Sequence, residues 1–137
     1  MKTFIDQVPS STEFFNLYQT TGWNDNFELS KERLHQAISN SWYTLSVYED
    51  KQLIGFGRII SDGVYQSFLC DLIVSPNYRK QGIGTEIVKR LLNHSKMNGL
   101  TWIQLSCAQG KQPFYERLGF KARPNDAPGM QLFLSEK

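Results

Sequence analysis

Cysteine is scarce in this chain, and its two copies, Cys70 and Cys107, lie in apolar runs with no Cys-x-x-Cys or Cys/His spacing. That pattern excludes a disulfide framework and a zinc module of the usual spacing, and both thiols are expected to be buried and reduced. Histidine is equally rare. His35 and His94 fall singly on expected helices with no partner at metal-ligand spacing, so no metal site is expected. Charge of one sign is not in excess either: a formal net charge of +2 with no Lys/Arg block argues against nucleic acid or an anionic membrane as partner. No apolar run approaches the length that spans a bilayer. The start, Lys2-Thr3-Phe4-Ile5-Asp6 after Met1, lacks the uninterrupted apolar region of a secretory leader, and a cytoplasmic location is expected.

What is present is ordinary for a globular protein: 137 residues, 40% of them hydrophobic and 20% charged, with no internal repeat, low-complexity tract or composition shift. One domain spanning residues 1–137 is expected, since this length suffices for a single core.

Periodicity and punctuation then order the elements. Thr3 to Val8 reads as a short strand, and Pro9-Ser10-Ser11 with Glu13 opens a helix that carries Phe14, Phe15 and Tyr18 and ends near Gly22. Ser30 caps a second helix, on which Leu34, Ala37 and Ile38 share a face. Trp42 to Glu49 and Leu53 to Ser61 form an antiparallel hairpin through Asp50-Lys51-Gln52. Tyr65 to Val74 is a longer strand stopped at Ser75-Pro76-Asn77, because proline cannot donate to a ladder. From Gly82, Ile83, Ile87, Val88, Leu91 and Leu92 recur at helical spacing to about Asn98, and Gly99 closes that helix. Thr101 to Cys107 reads as a strand, Pro113 opens a short helix ended by Gly119, and Phe120 to Ala122 and Met130 to Leu134 are the last strand candidates. The expected order is β-α-α-β-β-β-α-β-α-β-β.

The informative junction is the strand ending at Val74, the turn Arg79-Lys80-Gln81-Gly82-Ile83-Gly84-Thr85, and the amphipathic helix after it. The first N–H groups of a helix lack internal acceptors and sit at the positive end of its dipole, which suits a phosphate. Gly82 and Gly84 remove the Cβ atoms that would keep an oxygen from the backbone, and Arg79 and Lys80 add charge at the rim. A nucleotide P-loop would need a lysine after its last glycine, where Thr85 stands here, and the dinucleotide fingerprint would need a third glycine or alanine where Ile87 stands. By itself, Gly-x-Gly at a helix start reads equally well as a turn that packs a helix on a sheet.

Two segments together resolve the ambiguity. Arg79-Lys80-Gln81-Gly82-Ile83-Gly84 resembles the Arg/Gln-x-x-Gly-x-Gly/Ala pyrophosphate loop of the GCN5-related N-acetyltransferases (GNAT family), and Phe114-Tyr115-Glu116-Arg117-Leu118-Gly119-Phe120 resembles that family's downstream Phe-Tyr-x-x-x-Gly-Phe segment. The resemblance implies an α/β (α+β) fold of the acyl-CoA N-acyltransferase type, with a mixed central sheet flanked by helices. It implies acetyl-CoA as acyl donor and a small-molecule or protein amine as acceptor, with acceptor identity, acyl-chain preference and a homodimer left open.

By the same resemblance, the backbone of Gln81, Gly82, Ile83, Gly84 and Thr85, with Arg79 and Lys80 beside it, holds the pyrophosphate. The main chain of Leu72, Ile73 and Val74 holds the pantetheine arm, Phe114 borders the cofactor, and Tyr115 attends the departing thiolate. With tyrosine near ~10 and a thiol near ~8.5, complete proton transfer is uphill, so a hydrogen bond is the alternative to general acid catalysis. No base is assigned. Asp71, which interrupts an apolar strand and must be paired, hydrogen-bonded or cleft-facing, Glu49 and water are the candidates. Asp71 has as its structural alternative a cap on the loop around Tyr78 and Arg79. Trp23, Asn24 and Trp42 either line an acceptor pocket or pack. Direct attack of the amine in a ternary complex needs neither cysteine as nucleophile. The rival readings are a non-catalytic acyl-CoA-binding or regulatory module of the same fold and a nucleotide-binding protein.

Overall fold

The computed structural model describes residues 1–134 of the chain. It divides into two compact units, Met1–Gln104 and Leu105–Lys137.

The first unit is a five-stranded mixed sheet in the order β1-β2-β3-β4-β5, made of β1 (Lys2–Ile5), β2 (Tyr43–Glu49), β3 (Gln52–Ser61), β4 (Gln66–Val74) and β5 (Trp102–Gln104). The first four strands run antiparallel in succession, and β5 joins β4 in parallel. The β2–β3 hairpin turns at Asp50 and Lys51, both at positive φ (50° and 67°), the paired left-handed geometry that matches strand twist.

Helices cover both faces of this sheet because β3 alternates its side chains between them. Phe56 points to one face and meets Phe14 edge-on, with ring centroids 4.9 Å apart. There α1 (Ser11–Gln19) and α3 (Lys31–Ser39) bury Phe14, Leu17, Tyr18, Leu34 and Ile38 against Leu53, Phe56 and Ile73. Both helices start as their sequences dictate. Ser10 and Glu13 form a reciprocal capping box on α1, and the Ser30 hydroxyl accepts from the Arg33 N–H on α3. Between them, α2 (Asn24–Phe27) is a single turn that sequence periodicity does not reveal.

On the opposite face, Gly55 and Gly57 clear the way for α4 (Ile83–Met97). A Cβ on Gly57 would stand 2.8 Å from Ile87 Cγ2 and 3.0 Å from Leu91 Cδ1, so α4 lies on the sheet backbone itself. Ile83, Ile87, Val88 and Leu91 are all buried there, on the face that their spacing marks.

The second unit holds one helix, α5 (Gln112–Glu116), with Pro113 in its first turn and Gly119 beyond its end at φ 100°. The strands expected at Phe120 to Ala122 and Met130 to Leu134 are not formed. Strand structure is a property of pairing, and among the described residues no ladder includes those segments. Nor is Cys107 buried. β5 stops at Gln104, which leaves Cys107 exposed in irregular chain, while Cys70 is only half-buried on β4.

Replacing Gly57 with alanine is expected to push α4 off the sheet and to destabilise the protein by about 1–3 kcal/mol, the usual cost of overpacking. Urea unfolding should show a lower midpoint at unchanged slope, whereas an unaltered midpoint would mean that α4 is not seated on Gly57.

Candidate functional site

The strand order leaves one edge partly open. β4 runs from Gln66 to Val74, yet β5 pairs with it only at Gln66, Ser67 and Phe68. From Leu69 to Val74, therefore, β4 is hydrogen-bonded on its β3 side alone among the described residues. The Ser75 N–H donates to Ile54 O at 2.7 Å, toward β3. Alternation along the strand then turns the N–H and C=O of Val74, and of Leu72 two residues back, to the open edge. There Arg79 folds back so that its Nε donates to the Val74 carbonyl at 3.3 Å. Ile73 is buried, and Leu72 and Val74 are half-buried.

Directly after this edge the chain makes a 3-10 turn at Pro76–Tyr78, passes Lys80 at φ 63° and Gly82 at φ 80°, and enters α4. Gly82 is the N-cap and supplies no side chain to cap the helix. The first internal bond runs from the Glu86 N–H to Gly82 O at 3.0 Å, so the N–H groups of Ile83, Gly84 and Thr85 have no acceptor within the helix. Fifteen residues of aligned peptide dipoles stand behind them. A Cβ placed on Gly82 meets nothing within 4 Å, so the glycine is required for its left-handed φ and not by crowding from protein atoms. Arg79, Lys80 and Gln81 are exposed at the rim.

Asp71 sits where β4 bulges. The β3–β4 register shifts between Phe56 and Arg58, and Asp71 takes φ 54°, a left-handed value for a non-glycine residue. Its Oδ2 accepts a hydrogen bond from Arg58 Nε at 2.8 Å, and only 13% and 21% of the Arg58 and Asp71 side chains are exposed. Arg58 Nη1 also donates to Ala37 O and to Ser41 Oγ, at 3.2 and 3.3 Å, tying the bulge to the end of α3. Asp71 thus does not cap the Tyr78–Arg79 loop: its partner comes from the neighbouring strand. The pair acts on two neighbours. Burial first, and then the Asp71 charge, raise the Tyr18 hydroxyl and the Cys70 thiol above their ordinary pKa values, with Arg58 opposing.

Sequence reading passed over Arg58 as a site residue. The signal was available: a lone arginine in the apolar run Gln52–Ser61, facing a lone aspartate in the apolar run Gln66–Val74. Glu49 is drawn elsewhere, into ion pairs with Lys2 at 3.4 Å and the N-terminal amine at 3.9 Å.

The aromatic candidates separate. Trp23 packs edge-on against Tyr18 beside the α1–α3 core, with centroids 5.8 Å apart. Asn24 is buried and spends its amide within the chain, donating to Gln19 Oε1 and Leu29 O and accepting from the Leu29 N–H. Trp42 lies by α4 instead, its ring 5.3 Å from that of His94, which stacks on Tyr43 at 3.6 Å. His35 is half-buried on α3, and no cluster of three or more His, Cys, Asp or Glu occurs among the described residues.

In the second unit, Tyr115 is half-buried between Phe114 and Phe120, both edge-on, at 5.0 and 5.8 Å between centroids. Burial, with a smaller effect of Cys107, pushes its hydroxyl up to about 12. Tyr115 is therefore neutral at physiological pH, a hydrogen-bond donor and a weak acid.

The mixed sheet with a partly open β4 edge leads into an uncapped helix, and the Acetyltransferase (GNAT) domain model matches residues 19–128. The chain belongs to the GNAT family. It is 30% identical over 138 residues to the uncharacterized N-acetyltransferase ycf52 of Gracilaria tenuistipitata var. liui, covering 93% of this chain and 74% of that protein. It is 29% identical to the histone acetyltransferase TAP1 of Glycine max, over 72% of this chain and 47% of that protein. Among solved structures, a GNAT-family acetyltransferase of Streptococcus pneumoniae superposes with a TM-score of 0.81 at 27% identity, over 100% of both chains. No helix among the described residues is long and apolar enough to cross a membrane.

Truncating one partner of the pair at the bulge should be costly. Arg58→Met is expected to destabilise the fold by about 2 kcal/mol, somewhat below the range for a fully buried pair because water reaches part of it, and adding Asp71→Leu should recover most of that loss. Equal stability of the Arg58→Met single variant and the wild type, measured by thermal and urea unfolding, would assign the pair no structural role.

Proposed function

We infer that residues 1–137 form one catalytic domain that transfers the acetyl group of acetyl-CoA to a primary amine by direct attack in a ternary complex. The observation that carries this reading is the continuity of an unpaired β4 edge with three uncapped N–H groups at the start of α4. A pantetheine arm carries amides and needs a strand to pair with, whereas a pyrophosphate carries negative charge and needs donors at a helix start. The two requirements occur in the chain in the order in which the donor presents them.

On this reading the main chain of Leu72, Ile73 and Val74 aligns the pantetheine arm. The backbone from Gln81 to Thr85 binds the pyrophosphate, and Arg79 and Lys80 contribute charge. Arg79 already donates to the Val74 carbonyl, which leaves the Val74 N–H as the group to face the thioester oxygen. The amine attacks as its neutral form. A C–N bond forms, the C–S bond breaks, and the proton that leaves the nitrogen balances the thiolate to give free thiol and amide. Tyr115 donates a hydrogen bond to the sulfur as it departs, and Phe114 borders the cofactor. Holding both reactants in one cleft, together with oxyanion stabilisation, supplies most of the rate. Glu49 is paired with Lys2, and Arg58 takes only one Asp71 oxygen, so the other Asp71 oxygen or a water molecule removes the ammonium proton first. The acceptor class includes small amines and protein lysines, the latter in keeping with the name of the Glycine max relative.

An acetyl-CoA turnover screen against small amines, polyamines, amino acids and lysine peptides, read by thiol release, tests the activity. Release above the acceptor-free rate supports it, and tight CoA binding with no release across the panel would favour a non-catalytic binding module. Gly84→Val should leave the circular dichroism spectrum intact and weaken CoA binding at least tenfold by calorimetry, because a side chain then stands among the α4 donors. An unchanged CoA dissociation constant in the folded variant would remove the phosphate from this turn.

Tyr115→Phe keeps the ring and removes the hydroxyl. We expect kcat to fall roughly tenfold to a thousandfold with CoA affinity nearly unchanged. Because the Tyr115 hydroxyl is raised to about 12, any alkaline loss of kcat that it causes belongs toward that pH and not near ~10. Wild-type single-turnover rates in the variant would exclude the role.

A further inference from the structure

The β4 bulge is built on an unfavourable backbone. Phe56 faces Ile73 and Arg58 faces Cys70, so Gly57 alone stands opposite two residues, Asp71 and Leu72. Asp71 takes φ 54° there, a left-handed value that costs a residue with a side chain and that glycine adopts freely. Leu72 has no register partner on β3 among the described residues. Its main chain is therefore directed by the bulge, before Ile73 and Val74 return to the ladder opposite Phe56 and Gly55.

One side chain anchors this irregularity. Arg58 Nε donates to Asp71 Oδ2 at 2.8 Å, while Nη1 of the same guanidinium donates to Ala37 O at 3.2 Å and to Ser41 Oγ at 3.3 Å. A rigid planar fork thus ties β3 and the bulge of β4 to the end of α3. Stability accounts poorly for the pair. It is mostly withdrawn from water, and ion pairs so placed add little over an apolar replacement. Its position accounts for it better. Strained backbone persists where the surroundings over-determine it, and this strain stands immediately before Leu72, Ile73 and Val74, which have β3 on one side and no described strand on the other.

We propose that Arg58 is the positioning residue of the donor site: by anchoring Asp71 to the end of α3, it holds the main chain of Leu72 to Val74 in the direction that the pantetheine arm pairs with. The inference rests on the acetyl-CoA reading and adds the side chain that prepares a backbone surface. Arg58 touches neither donor nor acceptor. It acts through Asp71, and the α4 donors assigned to the pyrophosphate lie beyond its contacts. Loss of the anchor should therefore harm recognition of the arm and spare recognition of the phosphates. That split distinguishes positioning from a general contribution to folding, which would affect both parts of the donor together.

The test pairs a variant that removes the anchor with one that keeps it. Arg58→Met with Asp71→Gly abolishes the ion pair while leaving residue 71 free to adopt its positive φ. Asp71→Asn removes the charge but retains an oxygen for Arg58 Nε, in a residue type that tolerates left-handed φ. Calorimetry with CoA, and with the pantetheine-free fragment that keeps adenosine and pyrophosphate, reads the outcome without turnover. The double variant should bind CoA about tenfold more weakly, the worth of one or two main-chain hydrogen bonds, and the fragment as the wild type does. Asp71→Asn should bind both nearly as the wild type does. If the double variant fails to fold, Arg58→Lys replaces it, since a single ammonium cannot span both Asp71 and the end of α3, and CoA alone should again bind more weakly. Wild-type CoA affinity in the anchor-free variant, equal weakening of CoA and fragment, or a loss in Asp71→Asn as large as in the double variant would each overturn the inference and leave the donor reading intact. Failure of the wild type to bind CoA at all would overturn the donor reading, and this inference with it.

Discussion

Everything in the proposed site depends on β4 losing its neighbour halfway along. A central strand normally spends its N–H and C=O groups on both sides, and leaving half of them open is costly unless something else pairs with them. Here β5 stops after three paired residues, while β4 continues through a bulge to Val74. The six residues from Leu69 to Val74 are thereby fixed by β3 on one side and available on the other. Rigid backbone with unspent hydrogen-bonding capacity is what recognition of an amide-bearing arm requires, and no side-chain identity is involved. This is why the segment Leu72-Ile73-Val74 can look like ordinary core and still be a binding surface.

The N–H groups proposed as phosphate donors are set in place by the seating of α4 on β3. That helix cannot drift, because Gly55 and Gly57 let it descend onto β3 until Ile83, Ile87 and Leu91 fill the space where their Cβ atoms would be. A close-packed interface of this kind fixes the helix axis, and with it the direction in which the N–H groups of Ile83, Gly84 and Thr85 point. Glycines of two sorts therefore serve one end. Gly57 acts by what it lacks against a neighbour, and Gly82 by the left-handed φ it adopts at the turn.

Charge is used sparingly and close to the bulge. Arg58 and Asp71 come from adjacent strands and pair beside the register shift between Phe56 and Arg58. The bulge, the positive φ of Asp71 and the ion pair fall at one place in the sheet.

The local readings that succeeded were those governed by neighbours in sequence. The Ser10 and Ser30 caps, the apolar face of α4, the Asp50–Lys51 hairpin turn and the glycines before α4 follow from backbone dihedrals and side-chain spacing, which the chain carries with it. By resemblance, those local signals also sufficed for the family. What needed the tertiary structure was every question of partnership. Phe120 to Ala122 and Met130 to Leu134 have strand composition but belong to no ladder, Cys107 has apolar neighbours in sequence but lies exposed, and Trp42 goes to α4 instead of joining Trp23 and Asn24. The choice of Arg58 as the partner of Asp71 was likewise decided only by packing. Pairing is a relation between distant segments, set by register and by which face each strand turns inward, and no window of sequence contains both members.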